Sequence, residues 1–274
     1  MTTRRTLRWL AGTALATMLL LAWGYRGATA EPVVRTATVH LPRWPVGAPA
    51  VRVALLSDVH AGNLAMGPRR LTRIVGQVNG LRPDLILIAG DFFPGHEPVD
   101  AASAMARLAP LKALRARLGV VAVPGNHDHW TGMAAVRAAL GNAGIVLIAN
   151  TAQVRGPLAI AAVDDMFSGH ADVLRTTAAA RRLPGARLVL THSPDIAPQL
   201  PADFPLLLAG HTHCGQVVMP LAGSLADDRY YARRYRCGVI REAGRALIVT
   251  GGLGGSLPAR FGAAPDVWLL TLGP

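Results

Sequence analysis

Short apolar segments, each long enough for one strand, recur from residue 51 to the C-terminus, and their uninterrupted hydrophobicity is the tightest restraint on the fold. They are Val51 to Leu56, Leu85 to Ala89, Val120 to Val123, Ile145 to Ile148, Leu158 to Val163, Leu188 to Leu190 and Leu206 to Leu208, with Ala246 to Thr250 and Val267 to Thr271 after them. A strand that is apolar at consecutive positions has both faces covered, as in a buried parallel or mixed sheet. Between the runs, Arg69 to Leu81, Val99 to Leu118, Thr131 to Leu140 and Ala171 to Leu183 carry apolar residues three and four apart, the spacing of helices with one buried face. The alternation predicts an α/β fold. With 274 residues, 51% of them hydrophobic, and no internal repeat, the chain can bury one sizeable core, and a single globular domain over 51–274 is expected.

The first thirty residues stand apart. Arg4, Arg5, Arg8 and Arg26 flank an apolar run from Leu10 to Trp23, with no acidic residue among them. Thr3-Arg4-Arg5-Thr6-Leu7 has the form of a twin-arginine export signal, and Ala28-Thr29-Ala30 fits the small-x-small rule of signal peptidase. The run is shorter than the roughly 20 residues a spanning helix prefers, which favours cleavage, while an anchor extended to Tyr25 stays open. In both cases the basic N-terminal flank stays in the cytoplasm, so the rest of the chain is expected on the extracytoplasmic side, exported or anchored. Residues 31–50, with Pro32, Pro42, Pro45 and Pro49, are expected as an irregular connector.

Lysine and arginine outnumber aspartate and glutamate 28 to 16, and Lys112 is the one lysine. A solvated basic surface accounts for this, and it would also attract phosphorylated substrates or anionic lipid head groups. The arginines are scattered and only 5% of residues are aromatic, so no nucleic-acid partner is expected.

Several strand-like runs end on residues with metal-binding side chains. Asp58 and His60 follow the first, Asp91 the second, Asn126 the third, His192 a later one, and His211 and His213 the next. In open α/β sheets functional groups gather where strands run out at their carboxyl ends, so donors far apart in sequence can converge. Cleaving a phosphoester at neutral pH needs a strong nucleophile and neutralisation of charge on the phosphoryl oxygens. Two metals about 3.5–4 Å apart provide both by acidifying a bridging water and clamping the transferring group. One carboxylate must then bridge them, and Asp91 after Gly90 is placed to do so. Oxygen and nitrogen donors without a thiolate suit manganese, iron or zinc.

The ordered set Asp58-Val59-His60, Gly90-Asp91, Gly125-Asn126-His127-Asp128, His192 and Gly210-His211-Thr212-His213 resembles the calcineurin-like metallophosphoesterase superfamily from Val51 onward. The resemblance implies a four-layer α-β-β-α sandwich with two mixed sheets flanked by helices. It implies that Asp58, His60 and His213 bind one divalent metal and Asn126, His192 and His211 a second, with Asp91 bridging. It makes His127 a catalytic histidine that touches the phosphate and assists the leaving group, with Asp128 behind it to orient the ring. The activity implied is phosphoester hydrolysis by a metal-bridging hydroxide, the substrate being a phosphodiester or a lipid- or nucleotide-linked diphosphate. Thr191-His192-Ser193-Pro194-Asp195, Gly215-Gln216 and Pro258-Ala259-Arg260 are similar to the exported or membrane-associated phosphodiesterase branch that includes UDP-2,3-diacylglucosamine hydrolases of lipid A synthesis. Cys214 departs from the glycine usual there. The alternative is a phosphate-ligand- or protein-binding module that keeps the fold without turnover; the complete ligand set argues against it.

Other features carry less. Asp164-Asp165 reads as a turn or cap in preference to an acid-base pair. Gly251 to Gly255 lacks the Lys-Ser/Thr of a P-loop and reads as a rim loop. Ser57 and Ser193 lie outside a G-x-S-x-G elbow, against a serine hydrolase. His40, His96, His129 and His170 fit no ligand position. Cys214 and Cys237, in an exported chain, form either a disulfide or two free thiols.

Overall fold

A computed structural model describes residues 2–219, 223–224 and 234–274. Two six-stranded sheets face each other. The first has the order β1-β14-β2-β3-β4-β5, built from β1 (Val33–His40), β2 (Val51–Leu56), β3 (Leu85–Ala89), β4 (Val120–Val123), β5 (Val146–Leu147) and β14 (Asp266–Gly273). The second has the order β12-β13-β9-β8-β7-β6, from β6 (Thr151–Arg155), β7 (Leu158–Ala162), β8 (Ala186–Leu190), β9 (Leu206–Ala209), β12 (Gly238–Glu242) and β13 (Arg245–Val249). A two-stranded ribbon, β10 (Val218–Met219) with β11 (Gly223–Ser224), stands apart. Both sheets are mixed: β14 runs antiparallel to β2 in the first, and β6 and β12 run antiparallel to their neighbours in the second.

Strand pleat explains why the runs are apolar throughout. In β2 and β3, Val53, Leu55, Leu85 and Leu87 point into the layer between the sheets, where they meet Leu158, Ile160, Leu188, Leu190, Leu206 and Leu208. Ala54, Leu56, Ile86 and Ile88 point the other way onto α2 (Pro68–Gly80), α3 (Ala101–Leu108) and α5 (Met133–Asn142). The second sheet likewise turns Ala161, Val189, Leu207 and Leu247 outward beneath α6 (Val173–Arg181). Helices, sheet, sheet and helix form the expected four-layer α-β-β-α sandwich. Truncating a wholly buried interlayer residue such as Leu87 to alanine costs about 2–5 kcal/mol.

Local chemistry sets the helix limits. Pro68 opens α2, and Leu71, Ile74, Val75 and Val78 form its buried stripe. Asp100 caps α3 by accepting from Ser103 N–H at 2.9 Å. The helix expected over 99–118 ends at Leu108 and tightens to a 3₁₀ turn carrying Pro110. The helix expected over 131–140 is α5, which starts at Met133 because Gly132, with φ 109°, separates it from a preceding short helix, α4 (Asn126–Thr131).

The irregular connector expected over 31–50 is corrected, because Val33–His40 is a strand paired in parallel with β14. Its flanking prolines lie outside the ladder. The N-terminal residues form α1 (Thr2–Thr29), in which Arg5–Thr29 is long and apolar enough to cross a membrane.

Candidate metal centre

Every expected ligand lies just beyond the carboxyl end of a strand, β2, β3 and β4 in one sheet and β8 and β9 in the other, with Asn126 as the first residue of α4. The loops meet over the seam between the layers. His60 Nε2 lies 3.8 Å from Asp58 Oδ1 and 3.7 Å from Asp91 Oδ2. His192 Nε2 is 3.2 Å from Asp91 Oδ2, His213 Nε2 is 3.5 Å from Asp58 Oδ1, and His211 Nδ1 is 3.1 Å from His192 Nε2. Among the described residues, Asp58, His60 and His213 form one group able to hold a metal ion, and Asp58, Asp91 and His192 another. Asp91 Oδ2 stands between His60 and His192.

The donor atoms fit such a role. Asp58 Oδ1, His60 Nε2 and Asn126 Oδ1 are buried without a hydrogen-bond partner, a costly state for polar atoms unless an ion satisfies them. Backbone carbonyls hold the opposite ring nitrogens, Phe93 O for His60 Nδ1 at 3.2 Å and Ala89 O for His192 Nδ1 at 2.6 Å. That pairing places the ring proton on Nδ1 and turns the lone pair of Nε2 inward.

The backbone is strained to achieve this. Asp58, His60, Asp91, His211 and His213 have φ of 52°, 47°, 58°, 71° and 49°, a left-handed conformation that costs an L-residue about 1–2 kcal/mol. Glycine permits the close approaches around them. Gly90, with φ 80°, sits where a Cβ would lie 2.6 Å from Gly125 N, and at Gly252, with φ 72°, a Cβ would lie 2.5 Å from Asp58 Cβ.

Electrostatics follow burial and mutual proximity. Burial works against the charge of Asp58, yet His213, His60 and His192 hold its carboxyl well below the usual range; Asp91 is likewise held down, chiefly by His192. Burial also opposes charge on His192, but Asp91 with Asp58 and Asp165 keeps its pKa well above the ordinary value. Burial pushes His213 down to about 3 and lowers His127.

His127 and Asp128 both lie here, but not in the expected relation. The His127 ring bonds through Nδ1 to Gly95 O at 2.6 Å, and its Nε2 faces Ser256 Oγ at 3.3 Å. Asp128 does not orient that ring. Its Oδ2 accepts from Asp91 and Gly125 N–H at 2.9 Å each, and its Oδ1 accepts from Phe92 N–H at 2.8 Å. Asp128 is therefore a positioning residue that ties the loop of Asp91 to the start of α4. Burial, then neighbouring Asp91, raise its carboxyl to about 7 against the pull of those N–H groups.

The centre opens into a cavity of about 350 Å³, which Trp130, Phe167, His96 and Ser256 line beside Asp91, Asn126, His127, His211 and His213. His96 stacks on Trp130 with centroids 4.3 Å apart, and Phe167 lies 5.0 Å from His211. Sequence reasoning did not find these aromatic walls; the one signal was Trp130, a helical turn after His127. Arg260 of the Pro258-Ala259-Arg260 motif, given no role from the sequence, is 2% exposed; its guanidinium donates to the carbonyls of Gly251, Gly252, Gly254 and Ala263 and lies 3.4 Å from His213 Nδ1. The glycine loop is thus a floor under Asp58, with Gly254 N–H on Asp58 O at 2.7 Å.

The remaining features resolve as well. Asp165 accepts from Ser168 N–H at 2.6 Å and Asp164 from Asp165 N–H at 2.8 Å, a turn. His129 reaches Asp164 at 2.8 Å and stacks on His170 at 3.7 Å. Cys214 and Cys237 are joined as a disulfide.

A profile of calcineurin-like phosphoesterases matches residues 51–215. The chain belongs to that family. It is similar to the uncharacterized metallophosphoesterase YkuE of Bacillus subtilis, 29% identical over 99% of this chain and 98% of that protein. The phosphodiesterase YaeI of Escherichia coli is 30% identical over 70% of this chain and 71% of its own length. A bovine transmembrane protein with metallophosphoesterase domain is 27% identical over 94% of this chain, which spans 61% of that relative's length.

Proposed function

We propose that the chain hydrolyses phosphodiesters with two divalent metal ions, and that its substrate is a phosphodiester or diphosphate linked to a lipid or a nucleotide, the UDP-2,3-diacylglucosamine type being one such molecule. The reading is carried by the buried donors of two sheets that converge with polar atoms left for an ion. Asp58, His60 and His213 would hold one metal and Asn126, His192 and His211 the other, with Asp91 shared. Such ions, when bound, neutralise charge on phosphoryl oxygens and acidify a water molecule. Manganese, iron or zinc suits the donor set.

The chain supplies the rest. His127, with its Nδ1 proton given to Gly95 O, presents Nε2 to the cavity. Burial lowers its pKa in the free protein, whereas a phosphoester anion in the cavity favours its charged form. Substrate binding thus loads Nε2 with the proton that the departing oxygen takes. Trp130, His96 and Phe167 form an aromatic wall, and a cavity of about 350 Å³ has room for a head group. The catalytic unit is the domain of residues 51–274 completed by the edge strand β1, and Arg4, Arg5 and Arg8 before the apolar run support an extracytoplasmic position for it.

The test is hydrolysis of bis(p-nitrophenyl) phosphate with added manganese. Asp91→Asn and His127→Ala should each lower kcat/KM by about 10²-fold or more; full activity in both would sink the mechanism. A substrate panel checks the class, since faster turnover of simple alkyl or aryl diesters than of every lipid- or nucleotide-linked phosphodiester and diphosphate would overturn it.

A further inference from the structure

We propose that α1 remains part of the working protein and that its foot, together with the turn at Leu64 and the loop at Leu257, seats the mouth of the catalytic cavity on an anionic bilayer surface. From Leu10 to Trp23 the helix touches little: Leu10, Leu15, Leu19, Leu21 and Trp23 are each more than half exposed. Arg8 and Arg26 bound this stretch 18 positions apart, about 27 Å along a helix and close to the thickness of bilayer hydrocarbon.

Contact with the folded domain begins at Trp23. Gly24 O accepts from Arg260 N–H at 2.9 Å, and Trp23 meets Phe261 edge-on with centroids 5.2 Å apart. A Cβ at Gly24 would lie 2.4 Å from the Phe261 ring, and one at Gly27 2.3 Å from Arg260 O, so both glycines let the helix press onto that loop. Ala28 is 3% exposed, and Arg70 Nη2 donates to Ala30 O at 2.9 Å. Cleavage after Ala30 would remove Gly24 and Ala28, which are buried against the domain. A leader made only to be discarded has no use for such contacts.

With no linker between span and domain, the domain must lie against the head groups. The surface around the foot matches that position. Tyr25 Oη donates to Leu64 O at 3.2 Å, and Asn63 Nδ2 donates to Gly255 O at 2.6 Å, which joins foot, turn and loop. Leu64 is 81% exposed and Leu257 64%. Arg69 and Arg73 line a cavity of about 650 Å³ with Tyr25, Thr29 and Leu64, and Arg26 lies on the helix beside it. Arg73 pairs with Glu31. Exposed leucines, an interfacial tyrosine and arginines fit acyl chains below and lipid phosphates above. Ser256, next to Leu257, touches His127, so the collar stands one residue from the catalytic cavity. Delivery of phosphoesters from the bilayer rests on the hydrolase reading; the docking itself does not.

The test uses the full chain in phosphatidylcholine–phosphatidylglycerol vesicles, with a dye on Leu64→Cys or Leu257→Cys, the native cysteines being paired. Val46→Cys, fully exposed in the turn after the opposite end of β1, is the control. Brominated acyl chains should quench the dyes at 64 and 257 about twofold or more and leave that at 46 unchanged. Equal quenching at all three positions, or none, overturns the proposal. So does dye burial that is the same in plain and brominated lipid, which would give the surface to a second copy of the chain. A mature protein beginning at Glu31 overturns retention. Hydrolysis of the soluble diester is measured alongside, so that failure of catalysis is separable from failure of docking.

Discussion

Replacing Asp128 by asparagine separates two roles that predict different observables. In the structure its carboxylate accepts three backbone N–H groups, from Asp91, Gly125 and Phe92. An asparagine of the same shape keeps one acceptor oxygen. If that oxygen stays with Asp91 and Gly125, the amide NH₂ faces Phe92 N–H and leaves a buried donor unpaired, at about 1–3 kcal/mol. Exchanging a charged acceptor for a neutral one takes about a further 0.5–1.5 kcal/mol from each retained bond. Against this, the variant avoids burying a charge that stands beside Asp91, the same opposition that raises the Asp128 carboxyl to about 7. At pH 8 the net loss is about 2 kcal/mol, or roughly 4–8 °C in Tm for a domain of this size. Metal affinity should fall with it, because the loop carrying Asp91 loses its tie, while the His127 ring keeps its bond to Gly95. Thermal melting, metal titration and diester kinetics would be run on one preparation. A Tm within about 1 °C of the parent, together with a 10²-fold fall in kcat and unchanged metal affinity, would refute the argument and restore Asp128 as direct partner of the imidazole.

Two further outcomes follow from the disulfide and from the pairing of His129 with Asp164. The disulfide closes a loop over a sequence separation of 23, so Cys237→Ser should lower stability by about 3 kcal/mol in a denaturant melt, and a reductant should do the same to the parent only. Burial opposes charge on His129, but Asp164 at 2.8 Å raises its pKa above the ordinary value. Its contribution is therefore fully present below about pH 6.5 and is lost as pH rises through the raised value, so His129→Gln should cost about 1–2 kcal/mol at pH 6 and less at pH 9; a pH-independent difference in melting would contradict the pairing.

The strands and the convergence of the candidate donors were legible for one reason: both sheets are buried on two faces, so each central strand is written as an apolar run, and the donor side chains stand where the runs stop. What escaped lacked that signature. β1 is an edge strand with most of its residues at least partly exposed, framed by Pro32 and Pro42, and its partner β14 lies at the far end of the chain. β12 is likewise an edge strand with only half-buried and exposed positions. Asp128 was misread because neighbours on a helix point about 100° apart, so adjacency to His127 in sequence implied a contact the helix forbids. Trp130 and Phe167 come together only through α4 and the loop after β7, a meeting that no local pattern encodes.

Asp58, His60, Asp91 and Asn126 belong to one sheet, and His192, His211 and His213 to the other. The centre is therefore assembled from two half-sites, each rigid within its own layer, and the gap between them is set by side chains such as Leu55, Leu87, Leu190 and Leu208 packed deep in the seam. A methylene or methyl group lost there would leave a cavity into which the layers can relax in part, and any such relaxation would change the spacing of the two halves. The leucines between the sheets thus act as spacers for the chemistry, and part of what substrate turnover measures in this protein is the thickness of its own core.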